Sequence, residues 1–301
     1  LIKMMADQIV ALTDTGRFED AEDWGRRAQR QLEKKFRGEA EDRIRAQMTL
    51  NGAVGGQVFM QKGLLIPAYA AQSRTLLEKA LEGATHLQEP REILRDRVQL
   101  FLWEAIYRPS DALLNYGGVE QELLKATPDD RWMAHQYLKR HRWLAVYRLI
   151  LSGQISEGHP DGWELPEPMP GPSGWIRATA LKYRGACRAR LGDYVGSKMD
   201  FDESLRPWSH KVGKKRIILC REPLIRFILG TIAHEAWRSL SGSKVRGSSA
   251  YREIADGLFE GCIPARLQGP LSARQWRVMN AKENVDRARP VRPDLRIRIV
   301  Y

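Results

Sequence analysis

Residues 175–206, WIRATALKYRGACRARLGDYVGSKMDFDESLR, read as two helices broken at one glycine. Small and apolar side chains recur at three- and four-residue spacing on either side of Gly192, the period of a helix with one buried stripe. Gly192 closes the first helix in a backbone conformation that residues with a Cβ resist. Helices are therefore expected over 175–191 and 193–206. The pattern repeats near the start of the chain. Gly16 is followed by Phe18 two residues on, Ala21 five on and Ala28 twelve on, and Gly192 by Tyr194, Ser197 and Ser204 at the same offsets. Trp24 stands at the eighth position of the first copy, and Asp200, with Phe201 next to it, in the second. The aromatic at the turn is expected to plug the groove between the two helices, and the small residues to let them lie close.

Working outward, helices are expected over 18–35, 39–62, 72–87, from Pro90 through Ile106, over 110–116, 118–126, 129–151, 223–240, 249–261 and 272–288. Gly52, Gly55 and Gly56 weaken the second of these intrinsically. They are read as allowing close helix approach, since the strand and the Gly-Lys-Ser/Thr ending of a phosphate loop are missing. Residues 152–174 hold Pro160, Pro166, Pro168, Pro170 and Pro172 among five glycines, and cannot continue a helix. The expected organisation is an N-terminal helical block over 1–151, a linker or long loop over 152–174, and a C-terminal helical block with a basic tail over 175–301. Leu295, Ile297, Ile299 and Tyr301 alternate with Arg296, Arg298 and Val300, the period of a strand. Three readings of this tail stay open: pairing with Arg216–Cys220, addition to another protein's sheet, or a disordered or helical segment.

The glycine, aromatic and small-residue positions around 5–35 and 178–207 resemble the tetratricopeptide repeat, a helix–turn–helix unit of about 34 residues. Leu181, Tyr183 and Gly185 add part of its first-helix pattern, and Pro207 stands a little early for its closing proline. The resemblance implies an all-α fold of antiparallel helix pairs stacked as a superhelix, whose groove takes extended peptides or helices. Some members clamp a C-terminal carboxylate with lysine and asparagine. Lys182 matches the lysine, but Ala186 stands where the asparagine belongs.

Charge is distributed unevenly along the 301 residues. The net of +12 is nearly all in the last third: residues 1–210 carry 30 Lys and Arg against 29 Asp and Glu, and residues 211–301 carry 19 against 8. Such an asymmetry marks a surface that meets phosphates or an acidic partner, or a solvated basic face. Lys211, Lys214, Lys215, Arg216, Arg287, Arg289, Arg292, Arg296 and Arg298 are the nucleic-acid candidates, with Trp208 and His210 upstream as stacking groups. Arg177, Lys182, Arg184, Arg188 and Arg190 make one helix basic and are expected to line a partner groove. Three scattered cysteines, no signal-peptide pattern and no long apolar run point to a reducing, cytoplasmic location away from membranes, although Leu1 leaves room for a preceding segment.

Motifs that carry chemistry are few in the sequence. His234-Glu235 begins a zinc-protease helix motif, but Arg238 replaces the second histidine, and a core role is expected for His234. His135 and His141 are six apart and point to different faces. Asp193, Asp200, Asp202 and Glu203 are read as a solvated acidic face and Cys187 as a packed thiol. No catalytic residue, metal site or cofactor is therefore expected, and binding is favoured over catalysis. The expected function is a protein–protein interaction adaptor or regulatory subunit of a larger complex. Its partner would be another protein, acidic or presenting an extended segment, with Trp132, Trp143, Trp163 and Trp175 as candidate anchors. The alternative is a nucleic-acid-binding subunit of a ribonucleoprotein or DNA-handling complex.

Overall fold

In a computed structural model of the chain, residues 1–260 are described except 15–16, 37, 65, 156–163, 170, 213–214, 219–222, 244 and 246. The fold is all-α with one small hairpin. The helices are α1 (Ile2–Asp14), α2 (Phe18–Lys35), α3 (Ala40–Ala53), α4 (Met60–Gly63), α5 (Pro67–His86), α6 (Pro90–Tyr107), α7 (Pro109–Leu123), α8 (Pro128–Leu151), α9 (Trp175–Arg190), α10 (Tyr194–Leu205), α11 (Pro223–Leu240) and α12 (Ser248–Glu260). Proline opens α5, α6, α7, α8 and α11. Its fixed φ suits the first turn of a helix, where its missing N–H has no intrahelical partner to lose.

Three element readings need correction. The helix expected from residue 72 starts at Pro67. The two short helices expected over 110–116 and 118–126 are one helix, α7, running through Gly117 and Gly118. Burial of Ala112, Tyr116 and Leu123 holds it together. The stretch rich in glycine is an α-helix that widens into a π-helical segment over Val54–Phe59 before α4 resumes. Close approach is the reason for glycine there: a Cβ on Gly55 would lie 2.8 Å from the Cβ of Leu76 and 3.1 Å from the carbonyl of Ser73. The Ser73 hydroxyl donates to the Gly55 carbonyl at 2.7 Å and fixes the contact.

The described chain forms two compact units. The first comprises Leu1–Arg108 and Leu114–Ala134, the second Pro109–Leu113 and the residues from His135 onward. The division thus falls inside α8, not at 152–174. The proline-rich stretch is pinned to the second unit instead. Trp143 Nε1 donates to the Glu164 carbonyl at 3.2 Å, the Glu167 amide to Gln136 at 2.7 Å, and Arg177 to the Pro166 carbonyl at 2.5 Å.

In the first unit α1 packs on α2 and α3, and α5 on α3 and α6. Ile9, Ala21, Ala28, Leu32, Leu50 and Val58 are among the buried residues of one core cluster. In the second, α9 packs on α10 and α11, and α11 on α12. The Gly192 turn joins α9 to α10 with φ of 90°, as expected of a glycine stop. Ala21, Ala28, Ser197 and Ser204 are all buried, as the paired pattern requires. Tyr194, however, is 40% exposed and plugs no groove; Phe201 fills that role from within α10. Strands β1 (Ser209–Val212) and β2 (Lys215–Ile218) pair antiparallel, with Lys211 opposite Arg216 and Val212 opposite Lys215. The 215–218 segment therefore pairs with its upstream neighbour; the expected 272–288 helix and 295–301 strand lie outside the described residues.

Candidate functional site

The five cations expected to line a groove on α9 are held by the protein itself, with one exception. Arg184 grips Asp200 with two bonds, Nε to Oδ2 at 3.0 Å and Nη2 to Oδ1 at 2.6 Å, and Arg188 Nη1 adds a third at 2.9 Å. Arg177 donates to Glu203 at 2.7 Å. Lys182 is 4% exposed, with Nζ 4.6 Å from the centre of the Tyr183 ring. Arg190 alone of the five is exposed. The basic face of α9 is an ion-paired seam with α10, and the expected solvated acidic face of α10 is its other half. Asp200 is 1% exposed, and burial raises its carboxyl above the ordinary range against the pull of two guanidiniums.

Lys182 belongs to a buried polar cluster that the sequence did not announce. Tyr147 of α8 and Glu235 of α11 are hydrogen-bonded, and both act on Lys182 or on each other electrostatically. Burial lowers Lys182 to about 7, against the opposing pull of Glu235, while Arg140 of α8 lowers it further. Burial alone would raise Glu235, but Arg238, Lys182, His234 and the Tyr147 hydroxyl outweigh it and hold the carboxylate below its ordinary value. Burial, with Glu235 and Asp200 nearby, drives the Cys187 thiol far up, so it is inert as a nucleophile. A near-neutral lysine beside a carboxylate and a phenol is acid–base equipment in chemical terms. Here it is sealed by packing, and none of the grooves described below is lined by these side chains. The available signal was Glu235 as the single acid of α11.

His234 is a core residue as expected, 5.4 Å from the Trp237 ring. Trp143 is fully buried, which removes it from the surface anchors; Trp132 is 40% exposed. Trp163, Lys214 and Arg287, Arg289, Arg292, Arg296 and Arg298 lie outside the described residues. Lys211, Lys215 and Arg216 are carried on the hairpin. Among the described residues, no group of three or more His, Cys, Asp and Glu side chains is placed to hold a metal ion, and no helix is long and apolar enough to cross a membrane.

Open surface is found in the first unit. A trough of about 820 Å³ runs between α5, α6 and α7. Each helix contributes one face: Arg74, Glu78, Leu81, Glu82 and Thr85 from α5; Arg97, Leu100, Phe101 and Glu104 from α6; Leu114, Asn115, Gly118, Val119 and Glu122 from α7. Leu114 is 83% exposed at its rim, while Phe101 and Leu81 form a buried floor. Arg74 pairs with Glu78 at 2.7 Å and Arg97 with Glu122 at 2.8 Å. The groove expected on α9 rested on its cations, and Arg177, Arg184 and Arg188 are engaged with α10. A second cleft of about 530 Å³, between α2, α3 and α5, is bridged by Gln47, which donates to both Gln29 and Asn51 at 2.9 Å.

Set against family models, curated proteins and solved structures, the chain matches nothing in any of the three comparisons. The reading of its function therefore rests on the residues and geometry described.

Proposed function

We propose that this protein is a non-enzymatic adaptor or regulatory subunit that holds another protein in a larger complex. In this reading its helix pairs form a tetratricopeptide-like superhelix working in the cytoplasm. The observation that carries the reading is the α5–α7 trough. It is a ligand-sized concavity formed by one face of each of three helices, with an apolar rim residue left in water. Crosslinking of the full chain in extracts of its native cells, followed by mapping of the crosslinked sites, tests it. A protein partner crosslinked to α5, α6 or α7 supports the adaptor reading; crosslinks confined to nucleic acid, or turnover of a small molecule, defeat it.

The hairpin supports a second reading, nucleic-acid binding within a ribonucleoprotein or DNA-handling complex. A two-stranded ribbon brings Lys211, Lys215 and Arg216 within four residue pairs of one another, and each phosphate that such cations neutralise steepens the salt dependence of binding. Mobility shifts in rising salt, with Lys211, Lys215 and Arg216 each changed to Glu, decide this reading: loss of a steep salt slope on charge reversal supports it, and an unchanged shift removes it.

A further inference from the structure

We infer that the α5–α7 trough takes a basic amphipathic helix of a partner protein; this rests on the adaptor reading and specifies the chemistry of its ligand. The length comes from the lining. Along α5 the lining residues run from Arg74 to His86, which at about 1.5 Å per residue is roughly 18 Å, or some three turns of an apposed helix. The α6 residues Arg97, Leu100, Phe101 and Glu104 follow at three and four, and Trp103 lies three after Leu100 on the same side, so each wall is one side of a helix. That is the geometry of a helix laid in a groove.

The apolar contact is set by Leu114, exposed at the rim, and by the Leu81 and Phe101 floor. An incoming leucine or methionine stripe would cover all three. Gly118 lines the same wall, and a Cβ there would meet nothing within 4 Å among the described residues. The wall is therefore open at that point, with room for a ligand backbone to lie close to α7.

The sign of the ligand follows from the ion pairs. Arg74 and Arg97 are matched by Glu78 and Glu122. Among the described residues the Glu82 and Glu104 carboxylates have no cation; that of Glu104 accepts from Asn115 Nδ2 at 3.2 Å. In a chain of net charge +12, this trough is acidic. It calls for lysines or arginines flanking the apolar stripe, and so reverses the acidic partner expected from α9.

The test uses the full chain and a fluorescent synthetic peptide of about 18 residues, leucines on one helical face and lysines beside them. Controls are the same peptide with glutamate for lysine and a scrambled lysine peptide. Anisotropy is expected to give micromolar affinity for the first peptide and at least about tenfold weaker binding for both controls. The pair Glu82→Lys and Glu104→Lys, and separately Leu114→Asp, should each weaken binding about tenfold or more. All three positions are at the trough surface, and an unchanged circular dichroism spectrum verifies the fold. Equal binding of the scrambled peptide, or indifference to these substitutions, overturns the inference. So does self-association that Leu114→Asp abolishes, since a second copy would then be the occupant. Competition by residues 261–301, with tighter peptide binding on their deletion, would assign the trough to the chain's own tail and likewise overturn it. If the crosslinked partner is retained by the Leu114→Asp and double charge-reversal proteins, the adaptor reading survives and the trough assignment fails; if no protein crosslinks, the adaptor reading itself fails.

Discussion

Replacing Lys182 by methionine removes an ammonium group from the interior while keeping an unbranched side chain of similar length. Burial brings this lysine from its ordinary 10.5 to about 7. One pKa unit is worth about 1.4 kcal/mol, so the folded state disfavours the charged form by about 5 kcal/mol relative to the unfolded chain. The direction follows from proton counts. Between pH 7 and 10.5 the unfolded chain carries the proton on this lysine and the folded chain largely does not, so this group makes stability rise as pH rises through that window. Below pH 7 both states are protonated and the penalty is constant. Against it stands the attraction of Glu235, which would lose one cation in the variant but keep Arg238 at 3.3 Å and the Tyr147 hydroxyl. Exchange of a buried ion pair for apolar packing commonly stabilises by about 1–4 kcal/mol. Lys182→Met is therefore expected to be about 1–3 kcal/mol more stable than the parent at pH 6–7. Its advantage should shrink steadily toward pH 10. Cys187 and Tyr147, both raised by burial, destabilise parent and variant alike at alkaline pH, and the difference between the two proteins cancels them. Denaturant unfolding of both proteins at a series of pH values is the assay. A variant less stable than its parent at pH 7, or a gap that does not change with pH, would refute the reasoning.

Asp96 is buried with Arg95 as its partner, and burial raises its carboxyl to about 6. Its contribution falls as pH rises from 3.8 to 6, so Asp96→Asn should gain about 1–2 kcal/mol at pH 7 and nothing at pH 3.5 in the same unfolding assay. Gly55→Ala sets a Cβ 2.8 Å from that of Leu76, and thermal unfolding should show a loss of about 1–3 kcal/mol. Asp200→Ala strands two largely buried guanidiniums, and a loss of about 3–5 kcal/mol by denaturant titration is expected.

Boundaries were legible at Pro90, Pro223 and Gly192, which act through their own backbone; Pro67 acts in the same way but opens α5 ahead of the start expected for that helix. Reading failed where tertiary burial overrides propensity. Gly117 and Gly118 cost too little to break α7 once Ala112, Tyr116 and Leu123 are buried along it. The cations of α9 were ambiguous in sequence for a related reason. Arg177, Arg184 and Arg188 recur at helical spacing, a pattern shared by a solvated face and an ion-paired seam. Only the docking of α10 sixteen residues later, which brings Asp200 to Arg184, separates the two. Lys182 and Glu235 are 53 positions apart in sequence, and no local pattern links them.

The seam also changes what the net charge means. Arg177, Arg184 and Arg188 of α9 neutralise acids of α10 in partly buried geometry, where salt screens poorly. They contribute to stability and leave no free field for a ligand. The rest of the net charge, +11, is carried by residues 211–301. By contrast, the trough in the first unit carries Glu82 and Glu104, which have no cation among the described residues. The excess in the sequence and the trough differ in sign, and a ligand attracted by one is expected to be repelled by the other. Added salt should weaken charge-driven binding of either ligand, but the sign of the ligand charge that matters differs. A cationic helix and a polyanion are accordingly expected not to compete, and simultaneous titration of the two on the full chain would expose any shared site.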